Sequence, residues 1–268
     1  MDRNLGALDT KYHSDGGKAK YYQFGRKDPF NSNIYCWTYN SETFMPSQTV
    51  TGAIVRISKN ILDDMSGIYK TDGKNMPFSV GHPDNFITSS REWTVGDVFN
   101  PTPYNANIVW QDPQISNKLE NEETDKSIFD PCPLGWSVPV NGWARGLIGD
   151  SSGDATGNPR VTFQWVPNIL SGSATDAKGR TYYPNGYLAD KDNAAAPKIY
   201  FPASGLFENS GLLCYLGVFG VCWSCNSVSN DSGRNLVFYE TGMESSNYYI
   251  RTRAFSVRCV QKYEPLHL

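Results

Sequence analysis

The chain has 268 residues, with 24 Lys and Arg against 27 Asp and Glu, a formal net charge of −3. It is rich in Gly (24), Pro (16) and Tyr (16) and lacks the long runs of Ala, Leu, Glu and Lys that a helical bundle needs, while 13% aromatic residues offer too much buriable surface for disorder. Its basic residues are scattered, which leaves no electrostatic footprint for nucleic acid or an anionic membrane, and no stretch of about 18 apolar residues predicts a transmembrane helix.

Segment 19–27, AKYYQFGRK, reads as a short aromatic strand and 34–39, IYCWTY, as another. TGAIVRI at 51–57 is β-rich, and SKNILDDM at 58–65 is expected to be a short helix capped by Ser58. NANIVWQD at 105–112 reads as extended and KLENEETDKS at 118–127 as an exposed polar segment. After DPCPLGWSVP at 130–139, NGWARGLIGD is expected to form one or two helical turns with Asn141 as cap. SSGDATGNP at 151–159 is a loop, VTFQWVP at 161–167 alternates like a strand, and TDAKGR at 175–180 marks a turn.

The last third is the most legible. Residues 198–205, 212–225, 235–242 and 254–263 are strand-length and aromatic or β-branched, and ENSG, NSVSNDSG and GMESSN separate them as turns. That spacing predicts an antiparallel sheet. The class expected is α+β with little helix, and the length suits one large domain or two small ones.

Six cysteines are an even count, but spacing must decide their use. Cys222 and Cys225 form a C-x-x-C at a strand end, not at the helix N-terminus that a redox site uses to lower its thiolate pKa. A zinc site would need a second ligand pair, and the histidines are only His13, His82 and His267. Cys214 is within hairpin range of Cys222 or Cys225, and Cys36 could take the partner left over; the connectivity of these four stays open. Neither Gly-x-Ser-x-Gly nor His-Glu-x-x-His occurs, and the carboxylates are too scattered to nominate an acid–base pair. MDRNLGALDTKY has no basic and apolar leader, which fits either a cytosolic protein or a part of a longer exported chain.

Six phrases in order, MDRNLGA (1–7), YYQFGRKDPF (21–30), DPCPLGWSVP (130–139), YFPASG (200–205), CWSC (222–225) and RAFSVRCV (253–260), carry a resemblance that covers nearly the whole chain. The chain resembles the major paralogous domain family first described from Fibrobacter, found in fimbrillin-like surface proteins of gut bacteria. That family is similar in turn to the formylglycine-generating, sulfatase-modifying domain. Three departures stand out. Val140 replaces the family's Thr and Gly142 precedes Trp143, which is why the cap is placed on Asn141; Cys222 and Cys225 flank Trp223-Ser224; and 40–125 and 150–195 read as long insertions.

The resemblance implies a single C-type-lectin-like domain over 1–268, the C-terminal part of a longer exported protein. It also implies a disulfide between Cys132, at the entry to the short helix, and Cys259, on the last strand; the alternative is two buried thiols. Trp136, Trp143 and Trp223 are placed in the core. The sugar-binding lectins hold Ca²⁺ on side-chain oxygens, and the counterpart region here offers Asn226, Asn230, Asp231, Glu240, Glu244 and Asn247. The lectins' Glu-Pro-Asn and Trp-Asn-Asp phrases are absent and Asn230-Asp231 reads as readily as a turn, so no cofactor is expected, Ca²⁺ being the one ion this set would take. Tyr239, Tyr248 and Tyr249 could stack a sugar; Tyr248 and Tyr249 alternate, so at most one of them points outward. Arg253 and Arg258 flank the last strand, where one is expected to pair with an acid.

The function implied is a non-enzymatic adhesion or binding module at the cell surface or outer membrane, at a fimbrial tip or beside it. Its expected partners are a glycan or a host or bacterial surface protein, with fimbrial subunits met through an upstream domain. The alternatives are a purely structural module and a formylglycine-generating-type oxidase.

Overall fold

The computed structural model describes residues 4–7, 20–30, 55–58, 81, 85–88, 110, 126–143, 163–166, 179–182, 195, 199–209, 211, 213–215, 218–228 and 232–261. Its strands in chain order are β1 (Tyr21–Gln23), β2 (Val55–Ser58), β3 (Asn85–Thr88), β4 (Trp136–Ser137), β5 (Phe163–Val166), β6 (Gly179–Tyr182) and β7 (Ile199–Pro202). The last third adds β8 (Leu206–Phe207), β9 (Leu213–Cys214), β10 (Phe219–Ser227), β11 (Ser232–Tyr239), β12 (Gly242–Ile250), β13 (Ala254–Ser256) and β14 (Val260–Gln261). Helix among the described residues is confined to 141–143 and the single position Gly81. The protein is sheet-rich, as the composition predicts.

The main sheet runs β12-β11-β10-β13-β8-β9, with β1 added on β13. It is mixed rather than purely antiparallel, because β10 and β13 pair parallel through Cys222 and Ser256. β14 pairs with β4, β2 with β3, and β5, β6 and β7 form a three-stranded sheet.

Strict alternation on β10 and β11 gives the main sheet two apolar faces. One face carries Val221, Trp223, Cys225 and Val237, covered by Tyr22, Phe24, Trp110, Phe255 and Val257. The other carries Cys222, Leu236 and Phe238 against Phe201 and Met243. Trp223 is fully buried at the centre of the first face. Its ring stacks on Phe255 at 4.0 Å and meets the edge of Phe24 at 5.3 Å, and its indole N–H donates to the Tyr22 carbonyl at 2.8 Å.

Opposite Gly220, the Phe238 ring lies over the backbone, and a Cβ at Gly220 would fall 1.9 Å from two ring carbons. Only glycine leaves room for that ring. Gly220→Ala is therefore expected to cost about 1–3 kcal/mol through overpacking, read in urea melts. The extra cost should shrink in a Phe238→Leu background; an equal cost in both would show that the ring is not the obstacle.

The DPCPLGWSVP loop is organised by two charges, the buried Asp130 and the half-buried Lys126. Both Asp130 oxygens accept backbone N–H groups, Oδ1 from Cys132 at 2.7 Å and Oδ2 from Val138 at 3.0 Å. Lys126 Nζ donates to the carbonyls of Cys132 (2.5 Å), Pro133 (3.2 Å) and Trp136 (3.1 Å) and lies 3.6 Å from Asp130. Burial pushes the Asp130 carboxyl above its ordinary range, although both N–H groups and Lys126 pull the other way. Gly135 turns the loop at φ +77°. A disulfide joins Cys132 to Cys259 across 127 positions, with the Cα atoms 5.8 Å apart.

The structure differs from several sequence expectations. Ser58 ends β2 instead of capping a helix, and Gly179-Arg180, read as part of a turn, begins β6. The run 212–225 does not form one strand: it breaks between β9 and β10, where Tyr215 takes φ +59°. GMESSN, read as a turn, starts the nine-residue β12; its polar side chains suit an edge strand, whose pairing comes from the β11 backbone. Asn141 is not the cap. It already lies in the first helical turn, its N–H donates to Asn226 Oδ1 at 2.6 Å, and its buried amide has no hydrogen-bond partner among the described residues. The readings of 34–39, 118–125 and 151–159, of 105–112 apart from Trp110, and of the helix after Ser58 lie outside the described residues.

Candidate functional site

The structure separates the oxygen-bearing residues that the sequence groups together. Asn226 is half-buried at the end of β10, where its oxygen is engaged by the Asn141 N–H. Glu240 is exposed in the turn from β11 to β12. Asn230 and Asp231 lie outside the described residues. The segment from Asn226 to Glu240 is mostly hairpin rather than a long loop: β10 runs to Ser227, and β11 begins at Ser232.

Glu244 and Asn247 do come together, for a reason that simple alternation hides. Residues three apart on a regular strand point to opposite faces. Here Val237 pairs with Glu244 and Asn235 with Asn247, so Ser245 and Ser246 oppose the single Leu236. This bulge returns Asn247 to the side of Glu244, and its amide donates to Glu244 Oε2. The other oxygen, Oε1, accepts from the Tyr239 hydroxyl at 3.4 Å. The Tyr239 ring lies over Gly242, its direct partner in β12, where a Cβ would sit 2.8 Å from the hydroxyl. Tyr248 and Tyr249 take opposite sides: Tyr248 is 58% exposed, while Tyr249 is half-buried with its edge on Phe255.

Around this pair lies a half-exposed aromatic shelf at one end of the Trp223 face. Phe219 lies 5.5 Å from Tyr239 and 5.3 Å from Tyr215, at interplanar angles of 52° and 76°. The Arg253 guanidinium covers the Tyr249 ring at 4.5 Å and pairs with Glu208 at 2.7 Å. Burial pushes the Tyr215 and Tyr249 hydroxyls above their ordinary range, more than Arg253 lowers them. Burial, with Glu208, raises the Cys214 thiol to about 11. The shelf therefore presents neutral phenols and a protonated thiol at neutral pH.

Sequence reading passed over Glu208, Tyr215 and Phe219 and gave Arg253 no role beyond an ion pair. The cluster draws on the residues that follow β8 and β9 and on β10, β11 and β12 at once, and Tyr215 adopts a left-handed conformation that no turn residue announces. Such strained positions gather at functional sites.

The C-x-x-C is not a pair. Cys222 belongs to the cluster with Phe201 and Phe238, and Cys225 to the cluster with Trp223, so β10 directs the two thiols to opposite faces. Burial raises the Cys222 thiol to about 11. Cys214, Cys222 and Cys225 are all thiols; Cys36 lies outside the described residues. Arg253 pairs with Glu208, and Arg258 donates to the Tyr200 carbonyl and covers the Phe201 ring at 4.0 Å. Trp223 is core, and Trp136 and Trp143 are half-buried.

A second concavity, of about 220 Å³, lies between the 126–143 loop and β14. Trp110, Val140, Trp143, Cys225 and Val260 are among its walls, and its charged groups, Lys126 and Asp130, are those that hold the loop.

Among the described residues, no group of three or more His, Cys, Asp or Glu could hold a metal ion, and no helix is long and apolar enough to cross a membrane. No protein-family model, curated protein or solved structure matches the chain.

Proposed function

We propose that this chain is a non-enzymatic binding module of an extracytoplasmic surface protein, engaging a glycan or protein ligand at the shelf formed by Tyr215, Phe219, Tyr239, Glu244, Asn247 and Tyr249. The observation that carries the reading is the half-exposed aromatic cluster with a carboxylate held in place by Tyr239 and Asn247. Rings that are rigid and partly dry, beside oriented polar groups, are the usual anchors of recognition. The ordered phrases that resemble the Fibrobacter-type family support a C-type-lectin-like fold, a place at the cell surface and an adhesive role at or near a fimbrial tip. The sheet-rich scaffold and the Cys132–Cys259 link are compatible with that family and with an oxidising compartment.

The test is binding of the purified chain to glycan and surface-protein arrays, with and without calcium. Binding is expected, weakened about tenfold by Tyr239→Ala, the loss typical of a central aromatic anchor. Silence across broad panels would favour a purely structural module. Binding that Tyr239→Ala leaves unchanged would move the site elsewhere.

A further inference from the structure

We infer that the concavity between the 126–143 loop and β14 is a second binding site, one that takes a neutral phenol ring. None of the shelf residues lines it, so it stands apart from the reading above.

Size is the first reason. A protein cavity of about 150 Å³ holds one benzene ring. The volume here, about 220 Å³, scales on that basis to about nine non-hydrogen atoms. A phenol with a short substituent fits that space.

The walls are the second reason. Trp110, Trp143, Val138, Val140 and Val260 supply two indoles and three branched aliphatic groups, which suit a flat apolar ring. Beyond the ion pair, the polar wall residues are Ser137 and Gln261, with the weakly polar thiol of Cys225. A sugar, with a hydroxyl on nearly every carbon, would leave several of them against valine without a partner, at a cost in affinity. A phenol brings only one. Behind the wall, next to Val140, stands Asn141, fully buried, with an amide that has no hydrogen-bond partner among the described residues. A hydroxyl, which both donates and accepts, answers such an amide directly or through a water.

Charge is the third reason. The charged wall residues, Lys126 and Asp130, lie 3.6 Å apart and cancel. Both are committed to the loop: Asp130 accepts the N–H groups of Cys132 and Val138, and Lys126 donates to three carbonyls. A cation or an anion therefore finds no uncompensated opposite charge, whereas a phenol, with a pKa of about 10, is neutral at pH 7. The same bonds, with the Cys132–Cys259 bridge, fix the loop before a guest arrives, which lowers the cost of binding.

The experiment titrates the full chain with p-cresol, acetyl-tyrosine methylamide, toluene, 4-methylbenzoate and methyl glucoside, followed by ligand-detected NMR. Saturable binding of p-cresol near the millimolar range is expected. Ser137→Ala should weaken it about fivefold, the loss of one hydrogen bond. Val140→Phe, whose ring fills the cavity, should abolish it while urea melts show the fold intact. Tighter binding of the tyrosine derivative than of p-cresol assigns the ring to a protein partner, and the reverse assigns it to a free small phenol; both uphold the site. Toluene, 4-methylbenzoate or methyl glucoside binding as tightly as p-cresol overturns the inference, and so does silence from both phenols. Binding that survives Val140→Phe in a folded protein also overturns it; if that variant does not fold, an unchanged affinity in Ser137→Ala does so instead. Array ligands failing at the shelf would leave this result untouched.

Discussion

Replacing Trp223 with alanine is expected to lower the unfolding free energy by about 3–5 kcal/mol, the range for removing a fully buried large aromatic side chain. The residue is 0% exposed and touches both Phe24 and Phe255. Its removal would open a cavity between the β10–β11 hairpin and the N-terminal segment. Trp223→Phe should cost less, about 1–3 kcal/mol, because an aromatic ring remains while the Tyr22 carbonyl loses its donor. Tyr248→Ala, at a 58% exposed position, serves as the reference and should stay within about 0.5 kcal/mol. Denaturant melts of the three variants settle the order. A Trp223→Ala protein no less stable than Tyr248→Ala would contradict the packing described.

Removing the disulfide by Cys132→Ala with Cys259→Ala should cost about 2–5 kcal/mol. The bridge closes a long stretch of chain, 127 positions, so its absence gives the unfolded ensemble much more freedom. The native side also suffers: both residues belong to the Trp223 cluster, and Cys132 heads the loop that Asp130 and Lys126 organise. Comparing melts of the parent with and without reductant isolates the bond from the side-chain change. Peptide mapping of unreduced protein provides the direct check. A linked 132–259 fragment is expected, with Cys214, Cys222 and Cys225 alkylated only after unfolding or slowly. Alkylation of Cys132 and Cys259 in unreduced protein would remove the basis for this prediction.

Much of the sheet was legible because its strands are short aromatic and β-branched runs between turn clusters. Segments 198–205 and 235–242 contain β7 and most of β11, the latter buried on both faces. β12 was hidden because an edge strand can be polar, and Gly242, Ser245 and Asn247 carry turn-like composition into a nine-residue strand. The helix cap was hidden because its acceptor, Asn226, lies 85 positions away. A local rule could find only Asn141.

The candidate site was legible in part for the same reasons. The sequence places Glu244, Asn247 and Tyr249 in or beside a loop, yet what unites them is a bulge opposite Leu236. Asn226 was grouped with them and belongs with the helix instead. Glu208 and Arg253 meet only because β8 and β13 are neighbours in the sheet, and sequence distance gives no warning of that. The C-x-x-C spacing suggested proximity, but three residues along a strand reverse the direction of a side chain.

The pairing of β1 with β13 bears on how the molecule would carry a mechanical load. Leu5 donates its N–H to the Val257 carbonyl at 2.7 Å, and Tyr21 pairs with Ser256 while Gln23 pairs with Ala254. Residues 4 and 261 thus lead into neighbouring ends of an antiparallel pair. Tension between them would open these bonds one after another, as a zipper opens, rather than shear them together. The peel would begin beside Cys259, which the bridge ties back to Cys132. The first strand would give way at low force while the β10–β12 hairpins, and the shelf they carry, stayed folded behind a covalent stop.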